Sequence, residues 1–319
     1  MQSHFKKLIP VENPIDRPLW TVVIPVYNCA KFLEITLKGV LDQKMDSHLM
    51  EILVVDDCST DNPEEVVKRL GNGLVSYYRQ TKNVGHTANF EKCLELSRGK
   101  YIHLLHGDDC VLPNFYIEFT DLFDKNPSLG AAFCMHNFID ENSIFKFVSD
   151  NLLNHTGVLH NFFELIVKGQ IVQTPSIVVK REVYESIGIF DNRLSWCEDW
   201  EMWSRIGKNY SVGFIDKVLA EYRMHSNSNS GRYVMSGENI RDLRRGISII
   251  NGHVEDPLLK RLSKKEASNN HAFLAINQAN IFLKSSKKEN ARNQLKAAFF
   301  MSNSIGINFL IFKTFIKTL

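Results

Sequence analysis

The 319-residue chain carries 38 basic and 36 acidic side chains, a formal net charge of +2, with 44% hydrophobic and 23% charged residues. That balance offers a polyanion such as nucleic acid no electrostatic foothold and excludes the low-hydrophobicity composition of a disordered chain. The length suits one large domain or two smaller ones, with enough apolar material for a substantial core.

In chain order, residues 1–19 read as a polar, proline-containing leader without the apolar core of a secretory signal. No run of eighteen apolar residues occurs, so no membrane span is expected and a cytoplasmic location is. The six cysteines (Cys29, Cys58, Cys93, Cys110, Cys134, Cys197) form no CxxC pair and no zinc spacing, so reduced thiols are expected. Trp20 to Val26 is a short β-branched run with the look of a buried parallel strand. Lys31 to Leu41 places Leu33, Leu37, Val40 and Leu41 at helical spacing. Glu51 to Val55 is a second strand, and Pro63 to Leu70 a helix with Asp61 or Asn62 as its N-cap. Val75 to Arg79 (strand), Thr87 to Ser97 (helix) and Tyr101 to Leu105 (strand) continue the alternation. Such alternation predicts a parallel sheet with right-handed crossovers, an α/β fold whose ligands bind at the carboxyl ends of the strands.

Beyond residue 110 the reading is sparser. Leu129 to His136 and Ile177 to Lys180 are strand candidates; Phe162 to Lys168, Arg181 to Ile187 and Trp200 to Ile206 are helix candidates. From about residue 232 helical stretches such as Ala272 to Leu283 and Asn290 to Phe300 take over. The expected organisation is the leader, a catalytic domain over 20–231 with a nucleotide-binding half to about 110 and an acceptor half after it, and a helical C-terminal region over 232–319.

Polar residues follow three of the four strands. Asp108-Asp109 carries most of the chemistry. Two adjacent carboxylates at the end of an apolar strand are costly unless something positive joins them. A hard cation such as Mg2+ or Mn2+ does so and bridges protein to phosphate oxygens. The competing reading is a solvated turn that caps a helix opened by Leu112-Pro113-Asn114; a second pair at another strand end, Asp56-Asp57, weighs against it. Asp56-Asp57-Cys58-Ser59-Thr60-Asp61 supplies acceptors for a nucleobase N–H or a ribose hydroxyl, or else an Asx-turn with a helix cap.

The segments Val23-Ile24-Pro25-Val26-Tyr27-Asn28, Val54-Val55-Asp56-Asp57-Cys58-Ser59-Thr60-Asp61, Asn83-Val84-Gly85 and Gly107-Asp108-Asp109, in that order, resemble the nucleotide-binding half of family 2 glycosyltransferases. The resemblance spans roughly residues 20 to 225. It implies a GT-A fold, a Rossmann-like, mostly parallel sheet flanked by helices, here with a C-terminal helical extension. It implies that Pro25, Tyr27 and Asn28 border the nucleobase, that Asp56 or Asp57 contacts the base, and that Asn83 and Gly85 lie beside the nucleotide. Asp108 would face the ribose or donor sugar and Asp109 the metal. His106 stands where an acidic residue is common in the family, which bears on the choice of metal.

Trp196-Cys197-Glu198-Asp199-Trp200-Glu201-Met202-Trp203 resembles the family's Glu-Asp motif. In an inverting transfer the acceptor hydroxyl loses its proton as it attacks, so a carboxylate must lie within hydrogen-bond reach. Asp199 is the expected base, with Glu198 second; Asp199 as a plain helix cap is the competing reading. Trp196, Trp200 or Trp203 is expected to offer a stacking face, against core packing for Trp203. Tyr222 to Ser230 resembles the family's loop over the donor: His225 as a further metal ligand and Arg223 on the departing diphosphate, followed by a mobile lid over Ser226 to Gly231. Thr174-Pro175-Ser176 is expected on the acceptor side.

The expectation is therefore an inverting, hexosyltransferase-type enzyme. It takes a sugar from a nucleoside-diphosphate donor, UDP-linked, with Mn2+ or Mg2+, to a hydroxyl of a glycan or lipid-linked glycan, as in bacterial cell-surface polysaccharide synthesis. A sugar-1-phosphate nucleotidyltransferase is the rival, but Tyr27-Asn28-Cys29-Ala30 lacks its Gly-rich basic loop. A non-catalytic sugar-nucleotide binding module is the other, and Glu198-Asp199 and His225 weigh against it. Ile307 to Leu319 is expected to pack as a last core helix, or else to lie on a membrane that carries the acceptor.

Overall fold

Seven consecutive buried residues make Trp20–Val26 the central strand β1. Alternation of strand and helix then runs as α1 (Ala30–Leu41), β2 (Met50–Asp56), α2 (Pro63–Gly71), β3 (Val75–Arg79), α3 (His86–Leu96) and β4 (Tyr101–Leu104). The chain continues as β5 (Cys110–Val111), α4 (Phe115–Lys125), β6 (Leu129–Asp140), β7 (Phe145–Val148), β8 (Gly157–Val158), α5 (Phe162–Ile166), β9 (Ile177–Lys180), α6 (Arg181–Ile187), α7 (Glu198–Asn209) and β10 (Ser211–Met224). Five helices close it: α8 (Asn229–Ser236), α9 (Glu238–His253), α10 (Pro257–Lys284), α11 (Lys288–Ala298) and α12 (Ile305–Ile316). The computed structural model describes residues 5–11, 17–299 and 301–319.

The strands form one sheet in the order β3-β2-β1-β4-β9-β6-β10-β5, with β7 on β6 and β8 on β10. The β3-β2-β1-β4 half is parallel. Past β4 the strands run antiparallel, from β9 against β4 to β10 against β5. This is the expected α/β architecture with helices flanking the sheet and a helical C-terminal extension. Its main core joins Trp20, Ile24, Leu33 and Val54 with Phe115, Phe119 and Phe123 from α4. The fully buried Trp20 packs edge-on against Tyr101 and Tyr116; each such large ring removes enough apolar area from water to dominate the local energetics.

The chain divides into two compact units that do not follow chain order. The sheet unit comprises Met1–His160, Val172–Asn192 and Asn209–Arg223; the helical unit comprises Asn161–Ile171, Arg193–Lys208 and Met224–Leu319. In the sheet unit the leader is tied down where it is described: Leu8 is buried, and Arg181 donates to the Ile9 carbonyl. In the helical unit the buried Glu201 of α7 takes both Arg205 and His253, which joins α7 to the end of α9.

Several elements depart from the sequence reading: the short strands β5, β7 and β8 had no counterpart in it, and two longer elements are instructive. β10 was not anticipated, because Asp216-Lys217 interrupts its apolar run, and α4 was anticipated only as a possible cap. The Ser/Asn-rich run Ser226 to Gly231 is a turn followed by α8. Ser228 caps that helix by accepting from the Gly231 N–H at 2.9 Å, so the composition that suggests a loop serves a helix start.

Candidate functional site

The parallel half of the sheet brings the carboxyl ends of β1, β2 and β4 side by side, and with them the segments 25–28, 56–61, 83–85 and 106–110. Within this array the two aspartate pairs are treated very differently.

Asp56 is fully buried and its carboxylate is saturated. Oδ1 accepts from the N–H and hydroxyl of Ser59, and Oδ2 from the Tyr77 hydroxyl at 2.7 Å and from the Arg79 guanidinium. A carboxylate has about four acceptor positions, so none is left for a nucleobase. The expectation that Asp56 contacts the base is corrected to a structural role. Asp57 accepts from the Val84 N–H at 2.7 Å and the Gly85 N–H at 2.9 Å. Burial pushes its pKa up, against the pull of those two N–H groups. Asn83 donates to the Asp57 carbonyl at 3.3 Å, and Gly85 sits at φ +85°, a conformation that suits glycine. The Asn83-Val84-Gly85 loop is thus gathered around Asp57. Asn28, also left-handed at φ +52°, accepts from the Thr60 N–H at 2.8 Å and fixes the β1 end to the β2 end. Pro25 is buried in β1, while Tyr27 stands 40% exposed beside it. Of the two N-cap candidates for α2, Asn62 holds the position, without a side-chain cap bond, while Asp61 Oδ2 accepts from the Ala30 N–H at the start of α1.

Asp109 is 1% exposed. Its Oδ1 accepts the backbone N–H of Arg223 at 2.8 Å. Its Oδ2 has no hydrogen-bond partner and faces His106 Nδ1 at 3.5 Å. Burial raises its pKa to about 6, opposed by His106 and reinforced by the Asp108 charge. The segment is braced from behind. Thr36 of α1 donates to the carbonyls of Gly107 and Asp109, and a side chain at Gly107 would collide with Val26 and Cys29. The His106 ring stacks on Phe90 at 5.1 Å. Ligand atoms of His106, Asp108 and Asp109 lie within 4.8 Å of one another, the group among the described residues that could hold a metal ion. An orphaned, fully buried carboxylate oxygen aimed into such a group fits a divalent cation. His225, expected as a further ligand, belongs to the helical unit and is no member of this group.

Arg223 is not available to a diphosphate, which corrects that expectation. Its side chain is buried: Nε donates to the Asp108 carbonyl at 2.8 Å, and Nη1 to the Asp140 carbonyl at 3.0 Å and the Ser143 hydroxyl at 2.9 Å. The guanidinium also lies over the Phe32 ring at 4.9 Å. It clamps the Asp108-Asp109 backbone to the β6–β7 turn. Thr174, Pro175 and Ser176 are buried, and the Pro175 carbonyl meets His103 Nε2, so they line no surface.

In the helical unit Glu198 and Asp199 open α7. Asp199 Oδ1 takes the Trp200 N–H at 2.7 Å and Oδ2 the Gln170 side-chain amide at 2.8 Å. Glu198 is 5% exposed, and Asp199 is more open. Trp200 and Trp203 are each 1% exposed, so neither offers a stacking face; Trp196, half-buried, keeps that possibility. Tyr77, Arg79, Thr36 and Gln170 were not anticipated. They lie 21 to 73 positions from the groups they hold, and no spacing rule links them.

Comparison with known proteins places this geometry. The family described as glycosyl transferase family 2 matches residues 21–188, just over half of the chain. An uncharacterized glycosyltransferase of Methanocaldococcus jannaschii is 26% identical over 220 residues, 67% of this chain and 74% of that protein. One from Rickettsia prowazekii is 25% identical over 275 residues, 83% of this chain and 80% of that protein. Among solved structures, S. aureus TarS 1-349 in complex with UDP-GlcNAc superposes with a TM-score of 0.68 at 16% identity, covering 94% of this chain and 88% of that one. Mannosyltransferase PcManGT from Pyrobaculum calidifontis, in complex with GDP-Man and Mn2+, gives 0.58 at 17% identity, covering 97% and 82%. At such identities the structural likeness speaks for the fold, which is GT-A.

Proposed function

The chain belongs to glycosyl transferase family 2, and from that premise we propose that it is an inverting, metal-dependent hexosyltransferase. On this reading it takes a UDP-linked sugar and passes the sugar to a hydroxyl of a glycan or lipid-linked glycan, in cell-surface polysaccharide synthesis. The observation that carries the metal-dependent part is Asp109: a buried carboxylate whose Oδ2 the chain leaves without a hydrogen bond, beside His106 and Asp108.

The residues divide as follows. Asp109, with Asp108 and His106, would hold Mn2+ or Mg2+; when bound, the ion supplies positive charge to the diphosphate leaving group. Pro25, Tyr27 and Asn28 border the base. Asp57, which still has unused lone pairs, replaces Asp56 as the base contact, with Asn83 and Gly85 beside the nucleotide. Asp199 takes the acceptor proton. Its Oδ2 already accepts from Gln170, a bond that fixes the carboxylate's direction. Glu198 adds negative charge next to it.

A thermal-shift series with UDP, GDP, UDP-GlcNAc and GDP-mannose, each with Mn2+, Mg2+ or EDTA, tests the donor side by mass action. A UDP ligand should raise Tm only with metal. Equal stabilisation in EDTA would remove the metal from the reading. Asp199→Asn should bind donor as before and lose turnover.

The acceptor side carries a second observation. α12 buries Ile307, Ile311 and Thr314, yet Ile305 (87% exposed), Phe309, Phe312 and Ile316 point outward, followed by Leu319. No acidic residue occurs between Asn290 and Leu319, while Lys313 and Lys317 lie along one edge of the stripe. No helix among the described residues is long and apolar enough to cross a membrane. An apolar face edged by lysines suits the surface of an anionic bilayer, and we assign it that contact. Co-sedimentation with phosphatidylglycerol vesicles should fall several-fold in a Phe309→Glu/Phe312→Glu variant; undiminished binding would dismiss the contact.

A further inference from the structure

The turn that leads into α7 is held by a charge from another helix. The consecutive N–H groups of Ser195, Trp196 and Cys197 all point at one oxygen, Oδ2 of Asp242 on α9, at 3.1, 2.8 and 3.1 Å. The Cys197 thiol lies 3.4 Å from the same oxygen. Oδ1 accepts from Arg245 at 2.7 Å. Asp242 is 0% exposed. Three successive amides around one anion form a concave nest, an arrangement otherwise used to bind anions. Helix starts are ordinarily capped by a neighbouring Ser, Thr or Asn at no cost in buried charge. Here the anion comes from 45 to 47 residues along the chain and is desolvated in the process.

What the nest fixes is the approach to two acidic residues. The Cys197 carbonyl accepts the Glu201 N–H at 3.1 Å and so opens the α7 ladder, and the next two residues are Glu198 and Asp199. We propose that Asp242 is a positioning residue for the transfer reaction: it locks the 195–197 turn, thereby aims Asp199, and sets a permanent negative charge behind it. This rests on the reading of Asp199 as the base.

The electrostatic surroundings agree. The groups that meet Asp242 directly are Arg245 on its own helix and the 195–197 N–H groups and Cys197 thiol across from it; Glu238 acts on Arg245, and Glu198 and Asp199 act on Cys197. Burial would raise the Asp242 pKa, but Arg245 and the three N–H groups outweigh it and hold the carboxyl below its ordinary range. The Cys197 thiol is pushed well up, by burial first, then by Asp242, Glu198 and Asp199. One thiol thus senses all three carboxylates.

The test uses the full chain with Asp242→Ala and Asp242→Asn, read by amide hydrogen exchange and by a 13C-carboxyl titration of Asp199 assigned with Asp199→Asn. In the Ala variant exchange at 195–197 should accelerate on the order of tenfold or more, with α10 and α11 unchanged. The Asn variant keeps one acceptor oxygen and should recover much of that protection. Its Asp199 should titrate at lower pH than in the wild type, because a neighbouring like charge is gone. Unchanged exchange at 195–197 in the Ala variant, or an Asp199 titration that does not move in the Asn variant, overturns the proposal. If the Ala variant fails to fold, the Asp199 titration in the Asn variant decides alone. Near-normal turnover by Asp199→Asn would instead remove the base assignment, a separate failure that leaves the exchange result untouched.

Discussion

Asp56-Asp57 and Asp108-Asp109 look alike in sequence: two carboxylates after a buried apolar strand, on strands that both pair with β1. Their surroundings differ. The first pair is compensated by the chain itself: β3 brings Tyr77 and Arg79 to Asp56, Ser59 turns back onto it, and the 83–85 loop gives Asp57 two N–H groups. Asp109 receives one N–H and an imidazole 3.5 Å away. A buried charge must be matched somewhere. Where the fold does the matching the charge builds the frame; where it does not, the charge is the one that the proposed function gives to a metal ion.

The largest effect should come from removing the compensated charge. Asp56→Ala strands the Tyr77 hydroxyl and the Ser59 donors and frees Arg79 from its ion pair. A loss of about 3 kcal/mol is expected, read as a lower urea midpoint at unchanged slope. A loss below about 0.5 kcal/mol would mean that the Asp56 network is not holding the β2–β3 edge, and the contrast would collapse.

Asp109→Asn should act in the opposite direction. Burial sets the folded pKa of Asp109 at about 6, above its value in the unfolded chain. An acid raised in this way stabilises the fold most below the unfolded pKa, and that stability is lost as pH rises through the folded value. In the absence of metal the Asn variant should therefore equal the wild type near pH 4 and exceed it above pH 6, by up to about 3 kcal/mol. It should also lose metal-dependent stabilisation by UDP. Tm measured in EDTA from pH 4 to 8 checks the first part; a variant less stable than wild type at pH 8 would show that Asp109 is satisfied after all.

The contrast also marks what the sequence could and could not say. β1 to β4 and α1 to α3 were legible within one residue at either end, because each is a short run with a clear period and a turn on either side. The strand-end carboxylates were legible as a set for the same reason. Which of them is spent on structure was not. That depends on Arg79, Tyr77 and the β10 backbone, and β10 itself hides behind Asp216-Lys217 in a run that looks like two fragments. Arg223 was misread on those grounds: seen as a residue before His225 it suggests a phosphate ligand, whereas its place in β10 turns it inward. Gln170 and Asp242 left no local signal, since each acts on the Asp199 region across a long stretch of chain.

The smallest effect distinguishes the two readings of Arg223. Arg223→Lys keeps the charge and the backbone N–H on Asp109, and gives up the fork that spans the Asp108 carbonyl, the Asp140 carbonyl and Ser143. Lysine cannot reproduce that planar set of donors. A stability loss of about 1–2 kcal/mol is expected, with the Kd for UDP in Mn2+ raised only a few-fold, because the Oδ1 bond that orients Asp109 comes from the main chain. If the guanidinium met the diphosphate directly, the order would reverse: Kd would rise far more and stability would barely change. Urea unfolding and calorimetric titration on the same variant therefore decide whether Arg223 sides with the self-compensated aspartates as part of the frame, or with Asp109 as a group held for the ligand.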